Sequence, residues 1–489
     1  MIKIIGLGTG SIDSLTVKAY KTLKESKNIY IRTGEYPTAK ALKEEGVEFK
    51  TYDEKYNTTD LFKTLYEFIA DDIVQKELEF GDVVYAVPGH PLVAEGSVTN
   101  LIEKCKRQKI EYEILPATSF IDLAMEKLEV DASEGFKVLD AFDIKVKIIN
   151  KRDDIFITQV YNNLIASEVK LKLLEVFDDE TMINYIKLDM NSGEFLNREM
   201  PLFELDWQED LDHTTYVYVK KDLDNKYDFY DLLEIIDTLR GENGCPWDMA
   251  QTHDSIKRDL LEESYEVIDA IESDDIVGLE EELGDLLLHV VFHSSIGKQD
   301  GDFTINDVIS GICTKMIFRH PHVFRDAKAK TVNDVLESWD DTKKKEKGFN
   351  TTTDEMNAVA KALPGLIRAA KIQKRAARVG FDFEGVELAM DKVVEELNEI
   401  KDVYKLDKRS RIEEEVGDLI FSAVNVGRML SVDCEEALEK TVSKFVDRFS
   451  FIEKTAISKG QNLKDLTLEE MDELWDEVKK LKNENTSIY

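Results

Sequence analysis

The sequence of 489 residues has few cysteines and no long apolar run, and each absence excludes a class of protein. No stretch approaches the roughly 18 consecutive apolar residues that span a bilayer, so we expect no membrane segment. Its four cysteines, at positions 105, 245, 313 and 434, are scattered and form no Cys-x-x-Cys pair, which argues against disulfides and a structural zinc site. The first residues read as a strand and lack the order of a signal peptide. These features predict a cytoplasmic protein.

Positive charge is also scarce. Lys and Arg number 64 against 100 Asp and Glu, which gives a formal net charge of −36 at pH 7. A chain this acidic repels nucleic acids and anionic membranes at long range, so we expect neither as a partner. It binds small anions only through metal ions or through a local basic patch.

The pattern of apolar residues predicts an N-terminal α/β part. Short apolar runs alternate with helical segments such as 17–24 and 97–106, which favours parallel β-α units. Helices are fewer in the second half of this part, which indicates a mixed sheet there. The predicted strands are 2–7, 28–31, 83–87, 112–115, 155–160, 182–188 and 214–220.

From Tyr227 onward helical spacing of apolar residues dominates, and a polar run at 343–353 separates two helical blocks. We therefore predict a multidomain chain with an N-terminal α/β domain followed by two all-α modules. The expected boundaries are 1–222, 226–350 and 354–489, with a linker at 220–226.

The two helical blocks repeat each other. Four carboxylates of the first block recur 133 positions later, as the difference between 396 and 263 shows. The first set is Glu263, Glu266, Glu282 and Asp285, and the second set is Glu396, Glu399, Glu415 and Asp418.

This spacing predicts a metal site in each block. Residues three apart lie on the same side of a helix, and a short turn near 273–275 would fold two helices antiparallel and bring the carboxylate pairs together. Crowded carboxylates repel each other unless a cation lies between them. Clusters of oxygen ligands suit Mg²⁺ or Mn²⁺.

Two other interpretations compete with a magnesium site. Glutamates on the water-facing side of helices are common in so acidic a chain, but four carboxylates that keep their register are hard to obtain in that way. A di-iron site would use Glu-x-x-His motifs, and His289 and His293 follow Asp285. The second block has Ser422 and Val426 at those positions, so we interpret both histidines as helix-packing residues.

Basic residues supply the predicted contacts to phosphate. One helix carries a stripe of four cations, although a solvated basic face explains such a stripe equally well. Two Lys-x-x-x-Arg pairs near the ends of the repeats would reach a triphosphate at the metals. The stripe is Arg368, Lys371, Arg375 and Arg378, and the pairs are Lys315 with Arg319 and Lys444 with Arg448.

These motifs resemble the MazG family of nucleoside triphosphate pyrophosphohydrolases. The resemblance rests on the Glu-Glu-x-x-Glu and Glu-x-x-Asp motifs of both blocks and covers most of residues 227–455. Additional similar strings are Gly-Cys-Pro-Trp-Asp at 244–248, Arg-His-Pro-His-Val-Phe at 319–324, and the segment 371–382.

The resemblance implies hydrolysis of (d)NTPs to the monophosphate and pyrophosphate with Mg²⁺. It makes the eight repeated carboxylates metal ligands, and it makes Glu262 and Glu395 the groups that orient or deprotonate the attacking water. Because the basic stripe precedes only the second block, we expect the second copy to be the better-equipped site. Related modules form dimers, so we expect a homodimer or a pairing of the two copies within one chain.

Three loops after predicted strands carry the motifs of the N-terminal part. They are Gly-Leu-Gly-Thr-Gly at 6–10, Val-Pro-Gly-His-Pro at 87–91 and Leu-Pro-Ala-Thr-Ser at 115–119. A dinucleotide fingerprint fits poorly, because the first motif is GxGxG and no acidic residue ends the second strand. In this order the strings resemble the tetrapyrrole (corrin/porphyrin) methylase family over roughly residues 1–220. That resemblance implies S-adenosylmethionine near Gly8, Pro88, Gly89, Thr118 and Tyr161.

The sequence thus predicts a bifunctional enzyme with tandem Mg²⁺-dependent pyrophosphohydrolase modules and an S-adenosylmethionine-dependent methyltransferase-like domain of unknown acceptor. The alternative is a nucleotide-sensing regulatory protein whose methylase-like domain is not catalytic. A purely structural acidic scaffold is a third interpretation, and it predicts no tight metal binding.

Overall fold

The computed structural model describes residues 1–56, 62–188, 195–212, 214–325, 331, 346–405 and 409–486. It forms two compact units, Met1–Asp302 and Phe303–Tyr489.

The first unit begins with a five-stranded parallel sheet. Its strands are β1 (Ile2–Gly6), β2 (Ile29–Ile31), β3 (Lys50–Thr51), β4 (Val83–Val87) and β5 (Tyr112–Ile114), in the order β3-β2-β4-β1-β5. All five residues of β4 are buried, as expected of a central parallel strand that helices cover on both faces. The helices in this part are α1 (Val17–Glu25), α2 (Pro37–Glu44), α3 (Asp53–Tyr56), α4 (Phe62–Phe80), α5 (Gly96–Gln108) and α6 (Phe120–Leu128).

A second five-stranded sheet follows, and it is mixed as the sequence predicted. Its strands are β6 (Phe136–Asp140), β7 (Asp154–Thr158), β8 (Met182–Leu188), β9 (Phe195–Pro201) and β10 (Thr215–Val219), in the order β6-β7-β10-β8-β9. Strands β6 and β7 are parallel, whereas β10 pairs antiparallel with both β7 and β8. Helix α7 (Asn163–Leu174) packs its buried residues into the core of this sheet.

The segment 220–226 connects this sheet to the helical part through specific contacts. The fully buried Lys151 donates from Nζ to the carbonyl oxygens of Leu223 and Asn225, and it forms an ion pair with Asp231. Arg152 also pairs with Asp228 and Asp231, which form a capping box at the start of the next helix. These ion pairs anchor the first helix of the helical part to the second sheet.

The helical part of the first unit contains α8 (Phe229–Arg240), α9 (Pro246–Met249), α10 (Lys257–Glu272) and α11 (Ile276–Asp300). Residues 273–275 join α10 to α11, and Asp275 caps α11 by accepting a hydrogen bond from the Gly278 amide. The two helices pack against each other, so the predicted turn near 273–275 forms a helical hairpin.

The second unit is helical in the residues that are described. It contains α12 (Ile305–Arg319), α13 (Pro321–Phe324), α14 (Thr352–Asn357), α15 (Gly365–Arg378), α16 (Val386–Val403), α17 (Arg409–Met429), α18 (Cys434–Ser458) and α19 (Leu468–Thr486). Helices α16 and α17 pack together and repeat the α10–α11 hairpin, and α15 and α18 pack against this pair. No helix among the described residues is long and apolar enough to cross a membrane.

Candidate metal and nucleotide sites

The α10–α11 hairpin brings three of the four predicted carboxylates of the first copy together. Glu263 and Glu266 lie one turn apart on α10, and they face Glu282 on α11. One carboxylate oxygen from each of the three lies within 4.8 Å of the others.

In the first copy, burial and neighbouring carboxylates raise the pKa of Glu263 and Glu282. Burial, and then the charges of Asp285 and Glu266, raise the pKa of Glu263. Burial and the neighbouring carboxylates, of which Glu266 ranks first, likewise raise the pKa of Glu282. The fourth predicted residue, Asp285, is therefore close enough to act on both. A bound divalent cation would remove this repulsion.

The second copy forms the corresponding cluster from α16 and α17. Oxygens of Glu396, Glu415 and Asp418 lie within 4.8 Å of one another. Glu396 is only 5% exposed and Glu415 only 6%. A hydrogen bond with Glu415, followed by burial and the charge of Glu396, raises the pKa of Glu399. The fourth predicted carboxylate thus adjoins the cluster through Glu415.

Both clusters have the chemistry and the spacing for Mg²⁺ or Mn²⁺. Oxygen ligands lie about 2.1 Å from Mg²⁺, so two opposite ligands of one ion are about 4.2 Å apart. The oxygens of each cluster lie within 4.8 Å, so small side-chain movements would bring all three onto one ion. The residues present therefore fit a divalent cation.

Two cations of the chain distinguish the second cluster from the first. Lys392 Nζ lies 2.8 Å from a carboxylate oxygen of Glu395 and 2.7 Å from one of Glu396. Arg411 Nε lies 3.7 Å from Glu415. The positions 133 residues earlier hold Asp259 and Gly278, which carry no positive charge. Buried carboxylates need a compensating cation, and the second copy supplies part of that compensation itself.

Sequence reasoning missed Lys392. The sequence does indicate its contact with Glu396, because Lys392 precedes Glu396 by four residues and both therefore lie on one side of the helix.

A cavity of about 730 Å³ opens beside the second cluster. Its walls are mostly apolar and aromatic, and two members of the cluster, Glu396 and Asp418, line it. The other lining residues are Met356, Ile372, Gln373, Ala376, Gly380, Phe381, Asp382, Phe383, Ala389, Lys392, Phe421, Ser422 and Asn425.

The predicted basic stripe lies on α15 but contributes no residue to this cavity. Helix α15 lines the cavity with Ile372, Gln373 and Ala376 instead. In the stripe, Arg375 donates to the Glu355 carbonyl oxygen, and the side chains of the other three members (Arg368, Lys371 and Arg378) are exposed.

The two predicted Lys-x-x-x-Arg pairs lie on different helices of the second unit. On α12, Arg319 is 6% exposed and donates from Nε to Glu346 at 2.7 Å, and Lys315 lies one turn before it. On α18, the Arg448 guanidinium lies over the Trp475 ring, 5.4 Å from its centroid, and Lys444 is exposed.

The histidines of the first copy contact each other. His253 and His293 approach at 2.8 Å between their Nδ1 atoms, and the ring of His289 lies 6.3 Å from that of His293. Burial, and then the neighbouring histidines, lower the pKa of His293. The stacked rings of His253 and His293, with the His289 ring beside them, agree with the prediction that His289 and His293 pack between helices.

A second cavity, of about 280 Å³, lies in the α/β part of the first unit. Three of the residues predicted near S-adenosylmethionine, namely Pro88, Gly89 and Tyr161, line it. Gly8 adjoins it, because its carbonyl oxygen accepts hydrogen bonds from the Gly89 amide and from the Tyr36 hydroxyl. Thr118 instead donates from Oγ1 to the Ser14 carbonyl oxygen at 2.7 Å.

Buried polar groups also line this second cavity, and sequence reasoning missed them. Arg32 forms an ion pair with Glu95 at 3.2 Å, and Glu95 is 6% exposed. Ser97 donates to Glu95 at 2.7 Å and lies 2.7 Å from the Tyr85 hydroxyl. Burial raises the pKa of Tyr161 to about 12, so its hydroxyl is a neutral donor at the cavity wall.

Comparison with known families agrees with both parts of the chain. Residues 1–186 match the tetrapyrrole (corrin/porphyrin) methylases. Residues 251–324 and 384–450 match the MazG nucleotide pyrophosphohydrolase domain. These matches confirm both predicted resemblances and the predicted order of an α/β part followed by two helical copies.

Similar proteins include one that matches nearly the whole chain. The protein YabN of Bacillus subtilis (strain 168) is 42% identical over 483 residues, which cover 98% of each chain. The nucleoside triphosphate pyrophosphohydrolase of Escherichia coli (strain K12) is 41% identical over 254 residues, or 51% of this chain and 96% of its own. The nucleoside triphosphate pyrophosphohydrolase/pyrophosphatase MazG of Thermotoga maritima is 43% identical over 251 residues, or 51% of this chain and 95% of its own.

Proposed function

Because the chain belongs to the MazG family of nucleotide pyrophosphohydrolases and carries an N-terminal tetrapyrrole methylase domain, we propose that its helical modules cleave (d)NTPs to (d)NMP and pyrophosphate. The modules would span residues 226–350 and 354–489, and they would use Mg²⁺ or Mn²⁺. The observation that supports this proposal is that two helical hairpins, whose four carboxylates repeat at one spacing, each bring three of them within 4.8 Å of one another.

The carboxylates would hold the metal, and the metal would supply polarisation of the α-phosphoryl group and stabilisation of the leaving pyrophosphate. Glu262 and Glu395 would orient the attacking water or accept its proton, since each directly precedes a cluster member. Lys444 and Arg448 on α18 would bind the phosphates of a triphosphate at the second cluster.

We propose that the second copy turns over faster than the first. Two members of its cluster, Glu396 and Glu415, are buried, Lys392 lies beside Glu396, and the cluster opens on a cavity large enough for a small molecule. The cluster and its cavity support this ranking more directly than the basic stripe on α15, which contributes no residue to the cavity.

The N-terminal domain would bind S-adenosylmethionine in the cavity of about 280 Å³. The support for this part of the proposal is the methylase family match together with the positions of Pro88, Gly89 and Tyr161 on the cavity wall. The methyl acceptor is left unassigned.

The test is pyrophosphate release by the intact protein from a panel of (d)NTPs, with Mg²⁺ and with a chelator in its place. We expect release with Mg²⁺ only. Tight binding of nucleotides by calorimetry without any product would favour the nucleotide-sensing alternative. Absence of both binding and a Mg²⁺-dependent melting shift would favour an acidic scaffold.

A further inference from the structure

We propose that residues 151–152 and 222–231 form a rigid joint through which the cavity of about 280 Å³ and the first carboxylate hairpin, α10–α11, stabilise each other. A ligand bound in the α/β part would then also stabilise the hairpin, and the effect would be reciprocal. The inference rests on the proposed function in one respect, since it takes this cavity to be the S-adenosylmethionine site.

The segment between the second sheet and α8 is fixed by hydrogen bonds. Asn225 is 9% exposed, and it accepts from the Asp178 amide at 2.9 Å and donates to Thr181 at 3.0 Å. The Asp222 amide donates to the Lys151 carbonyl oxygen at 2.9 Å. The segment that composition predicts to be a linker is therefore held against the second sheet.

Two ion pairs close the joint. Asp231 on α8 lies 2.9 Å from Lys151 Nζ and accepts a hydrogen bond from Arg152 at 2.6 Å. The Lys151 side chain is 1% exposed, and the Asp231 side chain is 16% exposed. A buried charge that loses its partner is strongly destabilising, so α8 cannot separate from the sheet without leaving Lys151 unpaired.

Strand β7 runs from the joint to the cavity. It follows Arg152, all five of its residues are buried, and it ends at Thr158. Thr158, Gln159 and Tyr161 line the cavity. Gln159 has a φ of +66°, which is uncommon for a residue other than glycine, and it accepts a hydrogen bond from the Tyr161 hydroxyl at 2.6 Å. A ligand that contacts these residues therefore acts directly on the end of β7.

Strand β10 makes the same connection beside it. Thr214 and Tyr216, at its start, line the cavity, and Lys221 follows its end. The two strands pair antiparallel, and Asp154 of β7 accepts from the Tyr218 hydroxyl at 3.0 Å and from the Lys221 amide at 2.8 Å. The cavity and the joint thus lie at opposite ends of one strand pair.

Helix α8 continues the connection to the carboxylate hairpin. Ile236 of α8 packs in one buried cluster with Phe292 and Ile296 of α11. At the end of α8, Arg240 donates to the Gln299 side chain, which in turn donates to the Arg240 carbonyl oxygen at 3.1 Å. Helix α8 is therefore fixed to the sheet at its start and to α11 along its length.

The hairpin has few buried apolar residues apart from those that contact α8. Within α10 only Ala270 is buried. Between 42% and 51% of each of four large side chains of the hairpin is exposed, namely Leu261, Tyr265, Leu283 and Leu287. Regions with few buried contacts open most easily, so the docking of α8 controls how often the hairpin opens.

The α/β part and the hairpin also belong to one compact unit, because the chain divides after Asp302 rather than after the second sheet. Parts that open together share the stabilisation that either of them receives.

The experiment is hydrogen–deuterium exchange of the full-length protein with and without S-adenosylhomocysteine, the demethylated form of the cofactor. It compares the amides of β7 with those of the buried stretch 291–297 of α11. A ligand at a hundredfold excess over its Kd lowers the population of the open form about a hundredfold, so we expect exchange to slow about a hundredfold in both stretches. Slowing confined to the α/β part would overturn the inference.

Two variants break the joint. Asp231→Asn removes the charge that Lys151 and Arg152 share, and Arg152→Ala leaves the buried Lys151 pair intact. Asp237→Asn is the matched control, because Asp237 is exposed on the same helix and its ion pair with Lys298 lies outside the joint. Each joint variant should keep the slowing in β7 and lose most of it in α11, whereas the control should behave as the wild type. Full slowing of α11 in both joint variants would overturn the inference.

A measurement without ligand separates this outcome from that of the proposed function. If calorimetry shows no binding of S-adenosylhomocysteine, exchange of the wild type is followed at increasing urea concentrations. The joint predicts that the β7 and α11 amides come to share one dependence on urea, because they exchange through one common opening. Different dependences in the wild type would overturn the joint.

Discussion

Magnesium should stabilise the second copy, and Glu396→Gln should abolish that effect. Glu396 is 5% exposed and shares its cluster with Glu415 and Asp418, so a cation bound there would satisfy a buried charge. The substitution keeps the size of the side chain but removes one anionic ligand. The substitution should therefore weaken metal binding and leave the packing of the helices unchanged.

The size of the effect follows from linkage. A ligand at a hundredfold excess over its Kd stabilises the folded state by about 2.7 kcal/mol. The second unit spans Phe303–Tyr489, a size for which 1 kcal/mol moves Tm by about 2–4 °C. Saturating Mg²⁺ should therefore raise the Tm of this unit by about 5–10 °C.

The assay is thermal unfolding of the full chain with and without MgCl₂, in a Glu263→Gln background that removes a ligand of the first cluster. We expect the Mg²⁺ shift to persist in this background and to vanish when Glu396→Gln is added. Glu413→Gln is the matched control, because Glu413 is exposed on α17 and lies outside the cluster. An undiminished shift in the Glu263→Gln/Glu396→Gln variant would refute the assignment of Glu396 as a metal ligand.

Three further predictions concern turnover, acid stability and the N-terminal cavity. Glu399→Gln should lower pyrophosphate release about tenfold or more, whereas Glu266→Gln should leave most of it; the reverse pattern would show that the first copy is the main site. Burial alone would raise the pKa of Asp228, but the hydrogen bonds from Arg152 and from the Asp231 and Tyr230 amides, together with the charge of Arg152, outweigh it and lower that pKa. The stabilisation from this pair is therefore complete above the unfolded pKa of about 3.9 and is lost as pH falls through the lower folded value. Arg152→Ala should therefore reduce the loss of unfolding free energy at acid pH, measured by urea unfolding at a series of pH values. An unchanged loss would contradict this. Gly6→Ala should weaken S-adenosylmethionine binding in calorimetry, because a Cβ at this position would overlap the Gly89 carbonyl oxygen and the Ala117 side chain, and wild-type affinity would exclude the cavity as the cofactor site.

The parallel sheet could be predicted from the sequence because its central strands are buried on both faces. Such strands form nearly continuous apolar runs; β4 is wholly apolar, and only Lys3 interrupts β1. Strands β3, β6 and β9 were missed. All three lie at sheet edges, and most of their described side chains are partly or fully exposed, so their apolar pattern is weak.

The carboxylate clusters could be predicted because their geometry is local to each hairpin. Spacing by three residues on one helix, and a short turn between helices, are properties that a sequence shows directly. The internal repeat then distinguished the cluster from ordinary acidic surface. Lys392 was open to the same reasoning and was overlooked.

The two cavities could not be predicted, since they depend on contacts between distant residues. Gln373 donates a hydrogen bond to Phe421, which lies 48 positions away in the sequence, and Arg32 forms an ion pair with the equally remote Glu95. The face of α15 that turns to the cavity also depends on its packing against α17. The basic stripe was visible in the sequence, but its position relative to the cavity was not.

Phosphorus NMR of the reaction products tests the central claim most directly. The intact protein is incubated with a dNTP and Mg²⁺, and the phosphorus resonances of the products are identified. Cleavage next to the α-phosphorus predicts the monophosphate and pyrophosphate, with no signal from the diphosphate. A diphosphate with inorganic phosphate, or an unchanged triphosphate, would contradict the account.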